Sequence, residues 1–180
     1  MFSIALSDSA KLCPLEPWQA EEFLTHMDRA RSNLDPWIPW ASRSTDLASA
    51  RAALQSYADR QAADAGRLFG IWRDGVLVGG VMFVSFNRNT GVCEIGVWLE
   101  KAAEGNGLIS AAVSHLIDYA FDERGMSRIE WHTSPANERS NGVARRMGMR
   151  LEGTLREAFL HNGVRHDTEV WALLPSDRNR

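Results

Sequence analysis

The sequence feature that most constrains the fold is a change in the spacing of apolar residues on either side of a glycine pair. From residue 67 to residue 99 the apolar residues follow the runs and alternation of strands, whereas from residue 107 they recur every three to four positions, as on one face of a helix. Gly105 and Gly107 lie at this change, and after Gly125 a strand pattern returns over residues 128–133. A strand, a helix and a second strand in this order form a crossover, which pairs the two strands in parallel. The chain is therefore predicted to fold as an α/β domain.

The rest of the chain predicts a mixed, mostly antiparallel sheet around this crossover. Asp74-Gly75 separates two apolar segments and favours the positive φ angles of a tight hairpin turn, and Asn162-Gly163 marks a second turn. Asp46 is placed to cap a helix. The predicted helices cover residues 18–30, 46–63, 107–123 and 138–147, and the predicted strands cover residues 68–73, 76–86, 92–99, 128–133, 149–156 and 164–173.

An apolar segment with two prolines joins the first two predicted helices. Residues 33–40 include Pro36 and Pro39, which are expected to keep the segment out of a helix. The segment also contains Trp37 and Trp40, so we expect it to pack against another part of the molecule.

Composition and charge exclude several classes of protein. The 180 residues, 44% of them hydrophobic, suit one compact domain that needs no disulfide bond or metal to stabilise it. A net charge of −3 argues against a nucleic-acid-binding face, and two cysteines with no Cys/His cluster argue against a zinc site. No apolar run reaches about 18 residues, and no basic segment with an apolar stretch begins the chain, so we expect no membrane partner and a cytoplasmic location.

Residues 104–108 (EGNGL) carry the sharpest local signal of a ligand site. Glycines let the backbone approach a ligand closely, and the free N–H groups of the first helical turn attract phosphate. A plain glycine-rich connection fits the same residues equally well. No Lys-Ser/Thr pair follows and the third glycine of a dinucleotide fingerprint is missing, so neither a triphosphate P-loop nor a dinucleotide site is predicted. The candidate phosphate-binding residues are Gly105, Asn106, Gly107 and Leu108.

Six segments of the chain form a pattern that is specific when they are taken together. They are residues 11–15 (KLCPL), 35–40 (DPWIPW), 94–99 (EIGVWL), 105–108 (GNGL), 137–149 (NERSNGVARRMGM) and 151–156 (LEGTLR). With this pattern the chain resembles, over nearly its whole length, the GNAT acyltransferase superfamily and its branch of RimJ/RimL-type ribosomal-protein N-terminal acetyltransferases. The resemblance implies a single GNAT domain over residues 1–180 with a central splayed parallel strand pair. Its parts are a helical lid on the acceptor side (residues 16–63), an acetyl-CoA-binding core (67–134) and a C-terminal helix and strands (135–174).

The resemblance implies a cleft for acetyl-CoA between the third strand and the crossover strand. The pantetheine arm pairs there like an extra strand, and backbone N–H groups near Val97, Trp98 and Leu99 face the acetyl carbonyl. Ala102 departs from the Gln or Arg that begins the family's loop pattern. Because backbone groups make most of the phosphate contacts, we expect coenzyme binding to survive this change. No metal is implied.

Glu94 is the first candidate for the base that takes the proton of the acceptor amine. Alternation places Glu94 on the same strand face as Gly96 and Trp98, and a half-buried carboxylate needs a partner. A salt-bridged or solvent-facing glutamate is the alternative interpretation. The resemblance makes Glu157 and His161 rivals, because they lie near the turn that closes the substrate side in relatives. Water is the remaining candidate.

Four further residues gain a role from the resemblance. Ser140 would protonate the departing thiolate and Asn137 would bind the pantetheine amide, although without the resemblance both look like residues that begin a helix. Trp37 and Trp40 would line the acceptor pocket, or instead fill the core. The histidines that show no ligand pattern, for which structural or surface roles are expected, are His26, His115, His132 and His166.

The expected reaction is direct attack by a primary amine on acetyl-CoA in a ternary complex. An α-amino group, with a pKa of about 7.8, costs about 3.5 kcal/mol less to neutralise than a lysine, with a pKa of about 10.4. The resemblance favours the N-terminal α-amine of a protein such as a ribosomal protein. Acetylation of a small-molecule amine, such as an antibiotic or metabolite, and a non-catalytic acetyl-CoA-binding sensor remain alternatives. A homodimer is expected by analogy with the family.

Overall fold

One eight-stranded sheet forms the centre of the computed structural model, which describes residues 3–178. The strands are β1 (Ile4–Ala5), β2 (Ala10–Pro14), β3 (Arg67–Arg73), β4 (Val76–Asn87), β5 (Val92–Leu99), β6 (Arg128–Thr133), β7 (Arg150–His161) and β8 (Val164–Leu173). Their order across the sheet is β1-β2-β3-β4-β5-β6-β8-β7, and every neighbouring pair is antiparallel except β5 and β6. The predicted mixed, mostly antiparallel sheet with a parallel crossover is therefore confirmed. The division of the chain into three functional segments stays a prediction.

Five α-helices flank the sheet in the described part of the chain. They are α1 (Ala20–Leu34), α2 (Pro39–Arg43), α3 (Leu47–Ala62), α4 (Leu108–Asp118) and α5 (Glu138–Arg146), and α4 continues as a π-helix over Tyr119–Glu123. The predicted cap of α3 is confirmed, because Asp46 Oδ1 accepts a hydrogen bond of 2.7 Å from the Ser49 N–H. The hairpin between β3 and β4 is also confirmed, since Asp74 and Gly75 have φ angles of 50° and 78°.

The structure corrects the predicted boundaries in three places. α1 ends at Leu34 rather than at residue 30. α2 begins at Pro39, inside the segment predicted to be non-helical, because a proline at the first helical position lacks only an N–H that has no helical partner. β7 continues to His161 rather than ending at residue 156, through an irregularity between Leu155 and Phe159 that interrupts its alternation.

Buried apolar side chains form one cluster on each face of the sheet. On one face, α4, its π-helical extension and α5 pack against strand residues that include Ile95 and Ile129. On the other face, α1, α2 and α3 pack against strand residues that include Met82 and Trp98. The central strands are thus held between two layers of helix, which explains why most of β4 is buried on both faces.

The parallel pair at the centre of the sheet is short. β5 and β6 pair over only three residue pairs, from Val92 with Arg128 to Glu94 with Glu130. Beyond this point β5 stays paired with β4 and β6 with β8, so the facing edges of β5 and β6 diverge without strand partners within the described chain. The sheet therefore opens at Glu94, where the resemblance predicts a splayed pair.

Gly80 leaves space for the Trp98 ring, and we expect a larger side chain at this position to destabilise the fold. It lies opposite Trp98, and an added Cβ would come within 2.1 Å of Trp98 Cη2 and 2.3 Å of the Phe69 carbonyl oxygen. Gly80→Ala should therefore lower the free energy of unfolding by about 1–3 kcal/mol in urea denaturation. The control is Gly153→Ala, where an added Cβ meets nothing within 4 Å, and we expect it to change stability by less than about 0.5 kcal/mol. Equal stability of the two variants would contradict the packing described here.

Candidate active site

A cleft of about 1370 Å³ occupies the opening between β5 and β6. One wall is formed by the second half of β5 and the start of α4, and the opposite wall by the segment from Trp131 to Arg146. The rest of the cleft is bordered by residues 33–40 and by the hairpin of β7 and β8. This volume exceeds the roughly 300–1,000 Å³ of a site for one small molecule. The cleft can accommodate a long ligand together with a second reactant.

The start of α4 presents free backbone donors to the cleft. Gly107 is the N-cap of α4 with a φ angle of 71°, and no side chain accepts a hydrogen bond at this cap. Gly105 has a φ angle of 79°, and the positions where Cβ atoms would stand on both glycines are open space. Asn106 Nδ2 braces the loop by donating to the carbonyl oxygens of Ala103 (3.1 Å) and Glu104 (3.0 Å). The loop geometry suits an anionic ligand, and this bracing is independent of the side chain at residue 102.

The backbone of β5 alternates between two neighbours. The Glu100 N–H donates to the Val78 carbonyl oxygen at 2.9 Å, so Glu100 directs its backbone groups toward β4. The direction of the backbone groups along a strand repeats every two residues, so the N–H and C=O groups of Trp98, which pairs with Gly80, also point toward β4. The backbone groups of Val97 and Leu99 therefore point into the opening. This alternation narrows the three predicted N–H donors to those of Val97 and Leu99, because the Trp98 N–H faces β4.

The Trp98 side chain belongs to an aromatic group that joins β5 to the lid. Its indole Nε1 donates to Nε2 of the buried His26 at 3.1 Å. Its ring lies edge-on to Trp40 at a centroid distance of 5.3 Å, and Trp40 stacks on Phe23 at 5.6 Å. Trp40 thus both packs in the core and lines the cleft, whereas Trp37 is 40% exposed and lines the cleft only.

Glu94 lies in the cleft at the point where the sheet opens. Its side chain is 23% exposed, and Oε2 is 3.7 Å from Nδ1 of His132. Burial raises the pKa of the Glu94 carboxyl. The nearby His132 lowers this pKa in part, and the nearby Glu130 carboxylate raises it further. A carboxylate with a raised pKa is a stronger base than an ordinary surface glutamate.

His132 is a residue of this site that the sequence analysis missed. A structural or surface role is predicted for it from the sequence, and it is exposed, but it also lines the cleft and lies between Glu94 and Glu130, with Nε2 at 3.2 Å from Glu130 Oε2. No local sequence signal identifies it, because its position depends on register: Glu130 pairs with Glu94 across the parallel strands, and His132 shares the face of Glu130 two residues further along β6.

Ser140 and Asn137 lie on the opposite wall at the start of α5. Asn137 is the N-cap of this helix, since its Oδ1 accepts from the Ser140 N–H at 3.2 Å. Ser140 Oγ accepts a hydrogen bond of 2.9 Å from Trp131 Nε1. An indole nitrogen only donates, so the Ser140 hydroxyl keeps its own proton available to another acceptor. Both residues line the cleft, and both also serve the ordinary role of residues that begin a helix.

The two rivals of Glu94 differ in position. Glu157 is exposed, has a φ angle of 53° in the irregular part of β7, and is not among the residues that line the cleft. His161 lines the cleft but is buried, with Nε2 at 2.6 Å from the Asp35 carbonyl oxygen. His161 thereby attaches the β7–β8 hairpin to the segment that carries Trp37.

Residues 3–178 contain no cluster of three or more His, Cys, Asp or Glu side chains arranged to hold a metal ion. No helix in this part of the chain has the length and apolar character required to cross a membrane.

Comparison with known proteins identifies the family. Residues 11–150 match the family described as an acetyltransferase (GNAT) domain. The chain is 30% identical over 179 residues to the putative ribosomal N-acetyltransferase YdaF of Bacillus subtilis (strain 168), with 97% of this chain and 96% of that protein covered. The chain therefore belongs to the GNAT acetyltransferase family, and its class of activity is acyl transfer.

Solved structures confirm the predicted GNAT fold. The ribosomal L7/L12 α-N-protein acetyltransferase RimL in complex with coenzyme A superimposes with a TM-score of 0.89 at 22% identity, covering 96% of this chain and 97% of that one. The microcin C7 self-immunity acetyltransferase MccE, in complex with acetyl-CoA and AMP, gives a TM-score of 0.88 at 22% identity, covering 95% of each chain.

The buried His26 is expected to make stability depend on pH. Burial lowers the pKa of His26 from 6.5 to about 4, so below pH 6.5 the unfolded chain binds a proton that the folded chain excludes. The free energy of unfolding should therefore fall as the pH decreases from 6.5 to 4. His26→Gln retains a side-chain acceptor for Trp98 but does not titrate, so its fall over this range should be smaller. Identical pH dependences in urea titrations of the two proteins would contradict this assignment.

Proposed function

We propose that the protein transfers an acetyl group from acetyl-CoA to a primary amine by direct attack in a ternary complex, and that the acceptor is the N-terminal α-amine of a protein such as a ribosomal protein. The observation that carries the proposal is the opening between β5 and β6, with free helix N–H groups at one end and Glu94 beside His132 at the other. A cleft of this shape holds a thioester beside an amine, which removes much of the entropic cost of their encounter.

The cleft residues suit acetyl-CoA, which supplies the thioester when bound. Gly105, Gly107 and the first turn of α4 would hold its phosphates through backbone N–H groups. The unpaired edge of β5 would pair with the pantetheine arm, whose amide Asn137 would also contact. One of the Val97 and Leu99 N–H groups would then face the acetyl carbonyl and the other would pair with the arm, because the two groups lie about 6.6 Å apart along the strand. One such donor contributes about 3 kcal/mol to transition-state stabilisation.

Two side chains would handle the protons of the reaction. Glu94 accepts the proton that the amine loses on attack, which suits its partly buried position and raised pKa. Ser140 would donate its hydroxyl proton to the departing thiolate and take a proton back from water in the cleft, because its hydrogen bond from Trp131 leaves the hydroxyl proton unused. Both residues line the cleft, so both are available to reactants bound there.

The acceptor end of the cleft, which is the part lined by residues 33–40 and the β7–β8 hairpin, favours a peptide. Trp37, Leu155 and Phe159 are large apolar side chains that remain partly exposed where the cleft meets solvent, so an extended chain has a surface to lie on. The relative named as a ribosomal N-acetyltransferase supports the same acceptor class. We propose the cytoplasm as the site of action, because acetyl-CoA and newly made ribosomal proteins meet there.

A small-molecule amine is the second candidate acceptor. The contact between His161 and the Asp35 carbonyl oxygen ties the hairpin to the lid and partly closes the acceptor end. A closed pocket suits a small molecule, and the structural neighbour MccE was solved in complex with acetyl-CoA and AMP. A non-catalytic sensor would bind acetyl-CoA and transfer nothing.

A binding and a transfer assay together separate these functions. Acetyl-CoA at about 100 times its Kd should add about 2.7 kcal/mol to the free energy of unfolding. Thiol release should then be measured with peptides that begin with Ser, Ala or Met, beside free lysine, spermidine and amine antibiotics. Transfer to peptides supports the proposal, transfer to small amines alone supports the second candidate, and binding without any transfer supports the sensor. No stabilisation by acetyl-CoA would contradict the whole assignment.

Glu94→Gln is expected to remove the base without disturbing the coenzyme site. With the best acceptor, kcat should fall by about 100-fold or more, because a positioned base contributes that much. The Kd for acetyl-CoA, measured by calorimetry, should change by less than about two-fold. The matched control is Glu157→Gln, an exposed glutamate outside the cleft, for which we expect wild-type kcat. The reverse result would move the base to Glu157.

Asn106→Ala should weaken acetyl-CoA binding by loosening the glycine loop. The variant loses both hydrogen bonds from Asn106 Nδ2, each of which contributes about 0.5–1.5 kcal/mol. We expect the Kd to rise by about 5- to 30-fold, with little change in kcat at saturating coenzyme. Asn89→Ala, in the loop between β4 and β5, is the control. An unchanged Kd for Asn106→Ala would show that this bracing is unimportant.

A further inference from the structure

We propose that His132 passes the acceptor's proton from Glu94 to solvent and fixes the position of the Glu94 carboxylate. This inference rests on the proposed acetyltransferase function. Glu94 would contact the reacting amine, whereas His132 acts through Glu94 and is therefore a positioning and relay residue.

The geometry places the imidazole between two carboxylates. Its Nδ1 is 3.7 Å from Glu94 Oε2, and its Nε2 is 3.2 Å from Glu130 Oε2. Glu94 and Glu130 form the last residue pair of the parallel ladder, and His132 follows on β6 where the opening begins. His132 lines the same cleft as Glu94, so both side chains are available to one acceptor molecule.

Glu130 sets which nitrogen carries the proton. Glu130 Oε2 lies 3.2 Å from Nε2, so in the proposed relay the neutral ring carries its proton on Nε2, beside this carboxylate, and turns the Nδ1 lone pair toward Glu94. Arg128 holds Glu130 in place through a 2.8 Å bond from its Nε to Oε1. The same guanidinium donates two hydrogen bonds, of 2.9 and 2.5 Å, to Glu152 on β7. The ring is thus oriented by a chain of ion pairs that spans two strands.

The proton balance of the relay is simple. Attack by the amine transfers one proton to the Glu94 carboxylate, and a small rotation of that side chain brings its O–H to Nδ1 of neutral His132. Nδ1 takes the proton, Glu94 becomes a carboxylate again, and the imidazolium is stabilised by Glu130. Release of that proton to water returns the neutral ring. The His132 side chain is 32% exposed, against 23% for Glu94, so water reaches the relay more readily than the base.

Few other titratable groups reach this pair. From α3, Tyr57 approaches Glu94, and burial raises the pKa of its hydroxyl so that it stays neutral. The charged neighbours on β6 are Arg128 and Glu130, with Glu152 beyond them on β7. From β8, His166 and Asp167 line the same cleft. Only His132 stands beside both Glu94 and Glu130 among the residues that the structure describes.

The test removes the imidazole and supplies it from solution. His132→Ala should lower kcat by about 100-fold, leave the Kd for acetyl-CoA within about two-fold, and regain activity as free imidazole is added. The wild-type protein should not respond to imidazole. His115→Ala, on α4 outside the cleft, is the matched control and should keep wild-type kcat without an imidazole effect.

A second variant distinguishes loss of the relay from misfolding of the His132→Ala protein. His132→Gln fills similar space, and its kcat should fall to the same degree and rise with buffer concentration, because proton release then depends on the buffer. Wild-type kcat in either variant, or a loss that neither imidazole nor buffer reverses, would overturn the relay. If the wild-type protein acetylates no acceptor, the proposed function fails instead, so the two failures are distinguishable.

Discussion

The structure depends on the early end of the parallel ladder between β5 and β6. Backbone N–H and C=O groups inside a protein need partners, and two adjacent strands normally supply them to each other. Here the ladder stops at Glu94 and Glu130, while the outer edges of both strands remain paired. The unpaired edges therefore form a slot whose complement is an extended, amide-bearing molecule. Pantetheine has that shape and those groups.

The packing on each face keeps the slot open. On the lid face, Trp98 stands over Gly80, bonds to His26 and meets Trp40, so β5 is held firmly against β4 and the lid. On the other face, α4 and α5 fill the space below the two strands. Trp98 of β5 and Trp131 of β6 are both buried in these layers, one in each apolar cluster. The two strands that border the opening are therefore anchored by the core.

The two ends of the slot have opposite electrostatic character. The start of α4 offers N–H groups and the positive end of the helix dipole, which favours phosphate. The opposite end holds Glu94 and Glu130 with His132 between them, which favours a cationic amine before it loses its proton. In the proposed reaction, the coenzyme phosphates and the amine would therefore be drawn to different ends of the slot.

Much of the fold follows from local signals in the sequence, whereas the site depends on register. The Asp74-Gly75 turn, the Asp46 cap and the bounds of β6 are set by neighbouring residues, so pattern alone predicts them. The strands β1 and β2 are too short for alternation to be recognised, and Pro39 begins a helix because its missing N–H has no cost there. The role of His132 depends on which residue of β5 faces Glu130, and the sequence of β6 does not contain that information.

The central claim is that the unpaired edge of β5 binds the coenzyme through its backbone. The most direct test is to follow the backbone amide signals of Val97, Trp98 and Leu99 by NMR and hydrogen exchange while acetyl-CoA is added. The account predicts that the Val97 and Leu99 amides shift and become protected, while the Trp98 amide, already bonded to β4, changes little. Binding of acetyl-CoA with no change at Val97 and Leu99 would contradict it.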